Sequence, residues 1–264
     1  MIFRIFIFLF LTTSLFSADN TDSWYSKIDT KVEAGMFLSN FEGDISNASS
    51  TTDFKDDYGY DKTTSSYFSL QFRFDYDYMP NIDISYFNMK QSQNADLNKS
   101  FEVAGTDFNG TVSTAIDYKV LNVVLHKEFK TKGDRIVMFG RKFYPGDVEF
   151  DIGMNIKSVF YLFQVKDSSD SSAEYEFLGV NSIIPLPYLG IKYYYYNFIG
   201  YANISALSFS EAKAMDYQIG IDYRVIDRLY LSASYIYEDF EATAGRDKVY
   251  FKTVGNKFSF KYIF

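Results

Sequence analysis

Apolar and polar side chains alternate strictly over residues 67–78, YFSLQFRFDYDY. One face carries Phe68, Leu70, Phe72, Phe74, Tyr76 and Tyr78, and the other carries Ser69, Gln71, Arg73, Asp75 and Asp77. A period of two residues predicts a β-strand with one apolar face. The segment is longer than a typical globular strand and matches the length that crosses a bilayer at a tilt.

The same alternation recurs along the chain. It is clear in residues 148–157, 215–224 and 257–264, and weaker in residues 28–40, 82–90, 111–129, 175–194, 199–209 and 229–239. Within 111–129 the apolar phase slips near Val120 and Leu121, which predicts a β-bulge at that point.

The links between the predicted strands alternate in length. Short links lie at residues 79–81, 195–198 and 225–228, and longer polar links at 41–66, 91–110, 166–174 and 240–248. This layout is typical of a transmembrane antiparallel up-and-down β-barrel, with short periplasmic turns and longer outer loops. We expect an all-β fold of about ten strands. Residues 130–147 are too long for a short turn, so a small helix or further strands there leave eight or twelve strands as alternatives.

The N-terminal segment MIFRIFIFLFLTTSLFS, residues 1–17, has one positive charge at Arg4, an apolar run and then small polar residues. This order predicts a secretory signal peptide that is cleaved after Ser17 or Ala18. We therefore expect residues 18–264 to form an exported outer-membrane β-barrel domain. The chain contains no cysteine, which excludes disulfides, thiolate metal sites and cysteine catalysis.

Aromatic residues are abundant, with 28 Phe and 24 Tyr, yet no apolar run after the N-terminal segment is long enough for a transmembrane helix. Such a chain can cross a membrane only as a closed barrel, because lipid offers no other partners to strand backbones. A soluble lipocalin-like barrel also has one apolar face. The long strands, the aromatic face, the export signal and the charged opposite face favour the outer membrane of a Gram-negative bacterium. The formal net charge of −8 offers no basic field for nucleic acid.

The polar faces of the predicted strands carry charges of both signs in near balance. They are Arg73, Asp75, Asp77, Asp83, Glu149, Asp151, Lys157, Asp216, Asp222, Arg224, Lys257 and Lys261. Charges that face one another in a narrow lumen must pair or stay hydrated. Barrels of this size have interiors that side chains can fill. We predict a lumen plugged by ion pairs, with a narrow polar conduit as the alternative.

Catalytic chemistry has little support in the sequence. His126 is the only histidine, so a histidine-dependent hydrolase mechanism must use it. The predicted topology puts it at the periplasmic rim, where an interfacial side chain is the simpler interpretation. No cofactor is predicted, and a metal site would have to rest on carboxylates.

Two outer loops carry candidate sites. The first contains Asp53, Asp56, Asp57 and Asp61, and carboxylates at this density can bind Ca²⁺ or Mg²⁺, although the spacing is not that of an EF-hand. A solvated acidic loop is the alternative. The second contains DLNKS and DFNGT, which fit an extended bacterial N-glycosylation sequon at Asn98 and Asn109.

Several segments together resemble an uncharacterised family of small proteobacterial outer-membrane β-barrel proteins. They are VEAG, DFKDDYG, LQFRFDYDYMPNIDISY, FDIGMN and the terminal FSFKYIF. The resemblance covers most of residues 30–264 and departs at 130–147. It implies fold and location, and it carries no catalytic or binding residues.

The terminal strand KFSFKYIF has Phe258, Phe260, Tyr262 and Phe264 on one face. It resembles the signal that the barrel-assembly machinery recognises, so we expect this machinery and periplasmic chaperones as partners, beside outer-membrane lipid and lipopolysaccharide. Three functions are compatible with the sequence. The first is a non-enzymatic barrel, structural or a narrow conduit; the second is a binding barrel or adhesin acting through acidic loops; the third is a hydrolase that uses His126.

Overall fold

The fold is taken from a computed structural model that describes residues 28–46, 51–74, 78–103, 106–131, 137–138, 141–142, 147–168, 176–208, 212–244 and 247–264. The predicted signal peptide lies outside this range and stays a prediction. None of the described residues forms a helix with the length and apolar character needed to cross a membrane.

The described residues are almost entirely β-strand. The strands are β1 (Ile28–Ser46), β2 (Thr51–Asp53), β3 (Lys62–Phe74), β4 (Asn81–Val103), β5 (Thr106–Thr131), β6 (Val137–Met138), β7 (Arg141–Lys142), β8 (Asp147–Asp167), β9 (Glu176–Tyr195), β10 (Phe198–Ser208), β11 (Ala212–Ile226), β12 (Leu229–Ala244) and β13 (Asp247–Ile263).

Ten of these strands form one closed antiparallel ring among the described residues. The order is β1-β3-β4-β5-β8-β9-β10-β11-β12-β13, and β13 pairs with β1 from Lys31↔Ile263 to Ser46↔Lys248. The predicted all-β, up-and-down barrel of about ten strands is confirmed. In the segment between β5 and β8, β6 and β7 pair only with each other, so they add no strand to the ring.

The two ends of the barrel differ. At one end, turns of two residues join β9 to β10 and β11 to β12, and the first and last strands of the ring also start and finish there. We call this the short-turn end, and the expectation that it faces the periplasm stays a prediction. At the other end the strands continue further than the sequence predicted. The loops expected at 91–110 and 240–248 are wrong, because β4 pairs with β5, and β12 with β13, almost to the hairpin tips.

The outer surface changes character along the barrel axis. Near the short-turn end it exposes large apolar side chains, among them Ile152, Ile183, Ile219, Phe258 and Phe260, which are 51–71% exposed. We call this region the belt. Further up the same strands, outward positions become polar, as at Asn40 and Glu42 on β1 and at Lys90, Ser92 and Asn94 on β4.

The interior changes in the opposite sense. Above the belt, the inward side chains are buried and largely apolar, and many of them are aromatic. Phe251 lies at their centre, with ring centroids 6.2 Å from Phe41, 4.6 Å from Tyr118, 5.1 Å from Tyr161 and 4.9 Å from Phe240. These five residues define the aromatic layer. They come from two arcs of the ring, β12-β13-β1 and β5-β8, so the aromatic layer crosses the lumen between these two walls.

Along the barrel axis, the apolar side chains move from the outer face to the inner face, and this change explains the phase slip in β5. Leu121 points outward into the belt, whereas Tyr118 and Val120 point inward to the aromatic layer. The pairing of β5 with β8 runs without a shift from Val112 to Thr131, so the predicted bulge near Val120 is wrong. The slip marks the height at which the apolar face passes from the outside of the barrel to the inside.

Candidate functional site

The lumen below the aromatic layer contains most of the charged side chains that point inward. They belong to three clusters that the strand alternation places on facing walls. A first cluster, near the short-turn end, is centred on Arg73 of β3. The Arg73 guanidinium pairs with Asp83, and its Nε lies 2.6 Å from Glu128 Oε1.

Lys192 of β9 completes the first cluster. Its ammonium pairs with Glu149 and lies 3.0 Å from Asp151 Oδ2 and 3.5 Å from Glu128 Oε1. The Tyr194 hydroxyl donates a hydrogen bond of 3.0 Å to Glu149 Oε2. Each buried carboxylate therefore has a basic partner, which offsets the cost of removing it from water.

His126 lies inside the first cluster. Its Nε2 is 3.5 Å from Asp83 Oδ2 and its Nδ1 is 3.6 Å from Asp151 Oδ1, and the side chain has no solvent exposure. The expected interfacial position of His126 is wrong. β5 presents even-numbered residues to the lumen at this height, and Gly153 on β8 leaves the space beside it, since a Cβ there would lie 2.7 Å from the His126 Cβ.

A second cluster joins the first strand to the last. Lys257 Nζ lies 2.6 Å from Glu33 Oε1, and Lys261 Nζ lies 2.8 Å from Asp222 Oδ2. The two ammonium groups also lie 4.0 and 4.7 Å from the ring centroids of Tyr67 and Tyr201, at cation–π distance.

A third cluster lies directly beneath the aromatic layer. Lys157 Nζ is 2.6 Å from Asp216 Oδ1 and 3.2 Å from Glu238 Oε1. The hydroxyl of Tyr118, a member of the aromatic layer, is 3.4 Å from Glu238 Oε2. The third cluster thereby connects the charged part of the lumen to the aromatic layer.

Two adjoining cavities of about 90 and 120 Å³ remain between the clusters. They share the lining residues Tyr67, Gln71, Asp83, Tyr188, Asn203 and Gln218. We call the pair the lumenal chamber. Its lower part reaches Ile199, Tyr230 and Ile263 near the short-turn end, and its upper part ends at Phe87 and Glu238 beneath the aromatic layer. The chamber thus lies between the aromatic layer and the short-turn end.

The structure distributes the predicted lumen charges unevenly. Arg73, Asp83, Glu149, Asp151, Lys157, Asp216, Asp222, Lys257 and Lys261 lie in the three clusters, as described above. Arg224 lies at the rim, where its Nη2 donates to Asn197 Oδ1 over 2.8 Å. Asp75 and Asp77 fall outside the described residues.

Sequence analysis did not place Glu33, Glu128, Lys192 and Glu238 in the lumen. Each lies on the inward phase of a strand whose alternation is weak, because its inward positions mix charged with apolar residues, as at Glu238 beside Phe240. Extending the inward phase through these strands would have found them.

The acidic loop, residues 53–61, folds back over the mouth of the barrel. Phe54, Tyr58 and Tyr60 are buried, and Phe54 lies 5.8 Å from the Phe163 ring. Burial raises the pKa of the Tyr58 and Tyr60 hydroxyls, which lie outside the membrane-spanning part of the chain.

The four aspartates of the acidic loop have different roles. Asp53 Oδ1 accepts hydrogen bonds of 2.8 Å from the N–H groups of Lys55 and Asp56, and Asp57 Oδ2 accepts one of 2.8 Å from the Asp53 N–H. Asp56 and Asp61 are exposed. Two of the predicted cation ligands therefore cap the turn, and the loop offers no cluster of three ligands within the described residues.

His126, Glu128 and Asp151 are the one group of three whose ligand atoms lie close enough to hold a metal ion in the described part of the chain. Arg73 and Lys192 already contact the Glu128 and Asp151 oxygens at 2.6 and 3.0 Å. Basic side chains thus occupy the positions that a cation would need, and we assign this group to the ion-pair cluster.

The remaining predicted sites lie at the ends of the barrel. Asn98 and Asn109 belong to β4 and β5 near their hairpin, and their side chains lie outside the described residues, so glycosylation stays a prediction. Phe258, Phe260 and Tyr262 point outward from β13, 40–63% exposed. The Phe264 N–H donates to the Thr30 carbonyl over 2.9 Å, which continues the seam to the last residue.

Large apolar side chains face outward around the closed ring, and the interior behind them is charged. This arrangement indicates that the belt contacts lipid. The chain is an outer-membrane β-barrel. Near the short-turn end, the apolar outer face and the polar inner face are those of a membrane protein. Above the belt, a polar exterior and an aromatic core are those of a soluble domain.

Comparisons with solved structures give distant likenesses. The outer membrane protease OmpT from Escherichia coli is similar over 90% of this chain and 96% of that chain, at 8% identity and a TM-score of 0.44. The translocator domain of the autotransporter NalP from Neisseria meningitidis is similar over 95% of this chain and 91% of that chain, at 8% identity and a TM-score of 0.44. Ail, the attachment invasion locus protein of Yersinia pestis, is similar over 88% of this chain and 99% of that chain, at 8% identity and a TM-score of 0.35.

No family model and no curated protein matches the chain. At the identities and TM-scores above, the solved structures transfer no activity to this barrel. Its function must be argued from its own lumen and surfaces.

Proposed function

We propose that the chain is a non-enzymatic outer-membrane barrel that is closed to through-passage. The single observation that supports this function is the aromatic layer, in which Phe251 contacts rings from four other strands of the ring. Protein interiors packed in this way leave few voids larger than a water molecule. A solute entering the lumenal chamber from the periplasm meets this layer and cannot cross it.

Planar bilayer recordings test the proposal. The refolded barrel should give no steady conductance, because the rings packed around Phe251 obstruct the lumen. The matched variants are Phe251→Ala, which removes the central ring, and Phe258→Ala, which removes a belt ring of the same strand. Only the first should produce transient openings. A large, steady pore in the unmodified protein would refute the closed barrel.

Binding at the cell surface is the second candidate. It is favoured by the polar wall above the belt, where ion pairs such as Lys252–Glu42 and Lys213–Asp239 cover the outside of the sheet. The exposed carboxylates of Asp56 and Asp61 would add to this surface. Exchanging both for Asn tests their role in adhesion without disturbing Phe54, Tyr58 or Tyr60, whereas deletion of the loop would remove part of the core.

A hydrolase that uses His126 has less support. Both ring nitrogens face carboxylates inside the lumen, beneath the aromatic layer, and away from the outer leaflet. His126→Ala should leave lipid and peptide hydrolysis at background level in both forms, and a measurable activity that the variant loses would revive this candidate.

The proposal also covers how the barrel is assembled and which molecules surround it in the outer membrane. A leader at residues 1–17, a proteobacterial source, assembly through the terminal strand, and contact of the belt with outer-membrane lipid and lipopolysaccharide belong to this proposal.

A further inference from the structure

The lower cavity of the lumenal chamber carries an excess of basic groups. Four lysines and three acids line it. Lys257, Lys261 and Lys192 are engaged with carboxylates, as described above. Lys31 is the exception, because no carboxylate of the described residues lies within ion-pair distance of its ammonium group.

Lys31 lies in an electrostatically unfavourable place. It faces the lumen from β1, next to Glu33 on the same face, and is only partly exposed. The like charges of Arg73, Lys192 and Lys261 act on its ammonium group, and Glu128 acts in the opposite sense. A half-buried cation among other cations is costly unless an anion or water compensates it.

Neutral donors surround the same space. The hydroxyls of Tyr188 and Tyr230 belong to residues that line the cavity, together with the amides of Gln71 and Asn203. A small oxyanion accepts several hydrogen bonds at once, and bonds from an ammonium group to such an anion are among the strong ones. The lining therefore combines one lysine that lies outside any ion pair of the described residues with neutral hydrogen-bond donors.

We propose that the lumenal chamber binds a small phosphate-bearing solute at Lys31, which reaches it from the periplasm. The cavities of about 90 and 120 Å³ leave room for a phosphate group and a short substituent. The aromatic layer prevents passage outward, so the site holds or senses the solute instead of conducting it. Only the absence of conduction rests on the closed barrel; the binding itself does not depend on it, because binding is measured without any current.

Calorimetric titration of the full refolded barrel tests the proposal, in a non-ionic detergent at low salt. Inorganic phosphate and glycerol 3-phosphate are the two probes, which separate a site for the free ion from a site for a phosphate monoester. The unmodified protein should bind at least one of them saturably. Lys31→Met should weaken that binding about tenfold or more, because it removes a charge-assisted hydrogen bond.

Two further variants complete the test. Lys31→Arg should retain binding within a few-fold, and Lys90→Met, at a lysine that is 65% exposed on the outer wall, should change nothing. If Lys31→Met does not fold, Lys31→Gln replaces it, since a polar side chain can keep water at this position. The proposal is overturned if the unmodified barrel binds neither probe, or if the charge-removing variant binds as tightly as the parent.

Discussion

Lys157 on β8 and Asp216 on β11 meet inside the barrel, with 2.6 Å between Nζ and Oδ1. Two strands, β9 and β10, separate their positions in the ring, so this ion pair braces the wall across the lumen. The Lys157 side chain has no solvent exposure and also contacts Glu238, which leaves one ammonium group between two carboxylates.

Lys157→Met should destabilise the barrel by about 3–5 kcal/mol, since it leaves two buried carboxylates without their partner. Urea unfolding of the refolded protein measures the loss. Adding Asp216→Asn and Glu238→Gln to the variant should restore much of the stability. A loss below about 1 kcal/mol, the size expected for a surface pair, would contradict the bracing role.

Substitution by arginine should have different costs on the two sides of the boundary between the belt and the polar outer surface above it. Phe260→Arg, at a position that is 63% exposed on the belt, should cost about 2–4 kcal/mol in a bilayer. Ser92→Arg, on the outward face of β4 above the belt, should stay within about 0.5 kcal/mol. Reversible unfolding in lipid vesicles measures both. Equal costs at the two positions would place the membrane boundary elsewhere.

The buried hydroxyls of Tyr58 and Tyr60 predict sensitivity to alkali. Burial raises their pKa, so their neutral forms favour the fold, and this contribution is lost as the pH rises above the ordinary value of about 10. The free energy of unfolding should therefore begin to fall as the pH passes about 10 and should keep falling as the pH rises further. The fall should be smaller in the double variant Tyr58→Phe, Tyr60→Phe, and unchanged in Tyr196→Phe, whose side chain is 86% exposed.

The same double variant should also cost about 0.5–1.5 kcal/mol at neutral pH, because the Tyr60 hydroxyl donates a hydrogen bond of 2.8 Å to Thr114 Oγ1. A pH dependence identical to that of the parent would show that other groups titrate.

Deletion of Phe264 should reduce the amount of barrel in the outer membrane of cells while leaving refolding into detergent nearly intact. In detergent the loss should be confined to the end of the seam, where the residue donates a backbone hydrogen bond to Thr30 and its ring lies 4.9 Å from that of Tyr262. Heat-modifiable gel migration of both preparations measures the difference. Equal defects in cells and in detergent would indicate a purely structural role for the terminal aromatic.

The sequence was sufficient for the fold class because alternation has a local cause. Successive side chains of a strand point to opposite faces. The alternation in residues 67–78 and 257–264 therefore predicts an apolar and a polar face without knowledge of any partner strand. The same reasoning placed Lys157, Asp216 and Lys261 on inward phases. It could not say which charges meet, because ion pairs across a lumen depend on strand order and register.

Only the tertiary structure decided where each apolar face points. In β5, Val120 and Leu121 are equally apolar, yet one packs in the aromatic layer and the other faces lipid. The reason is that the solvent outside the barrel changes from lipid to water along the strand, and this boundary is a property of the closed ring. The alternation KFSFKYIF thus determined a strand with one aromatic face, and the pairing of β13 with β1 decided that this face belongs to the belt.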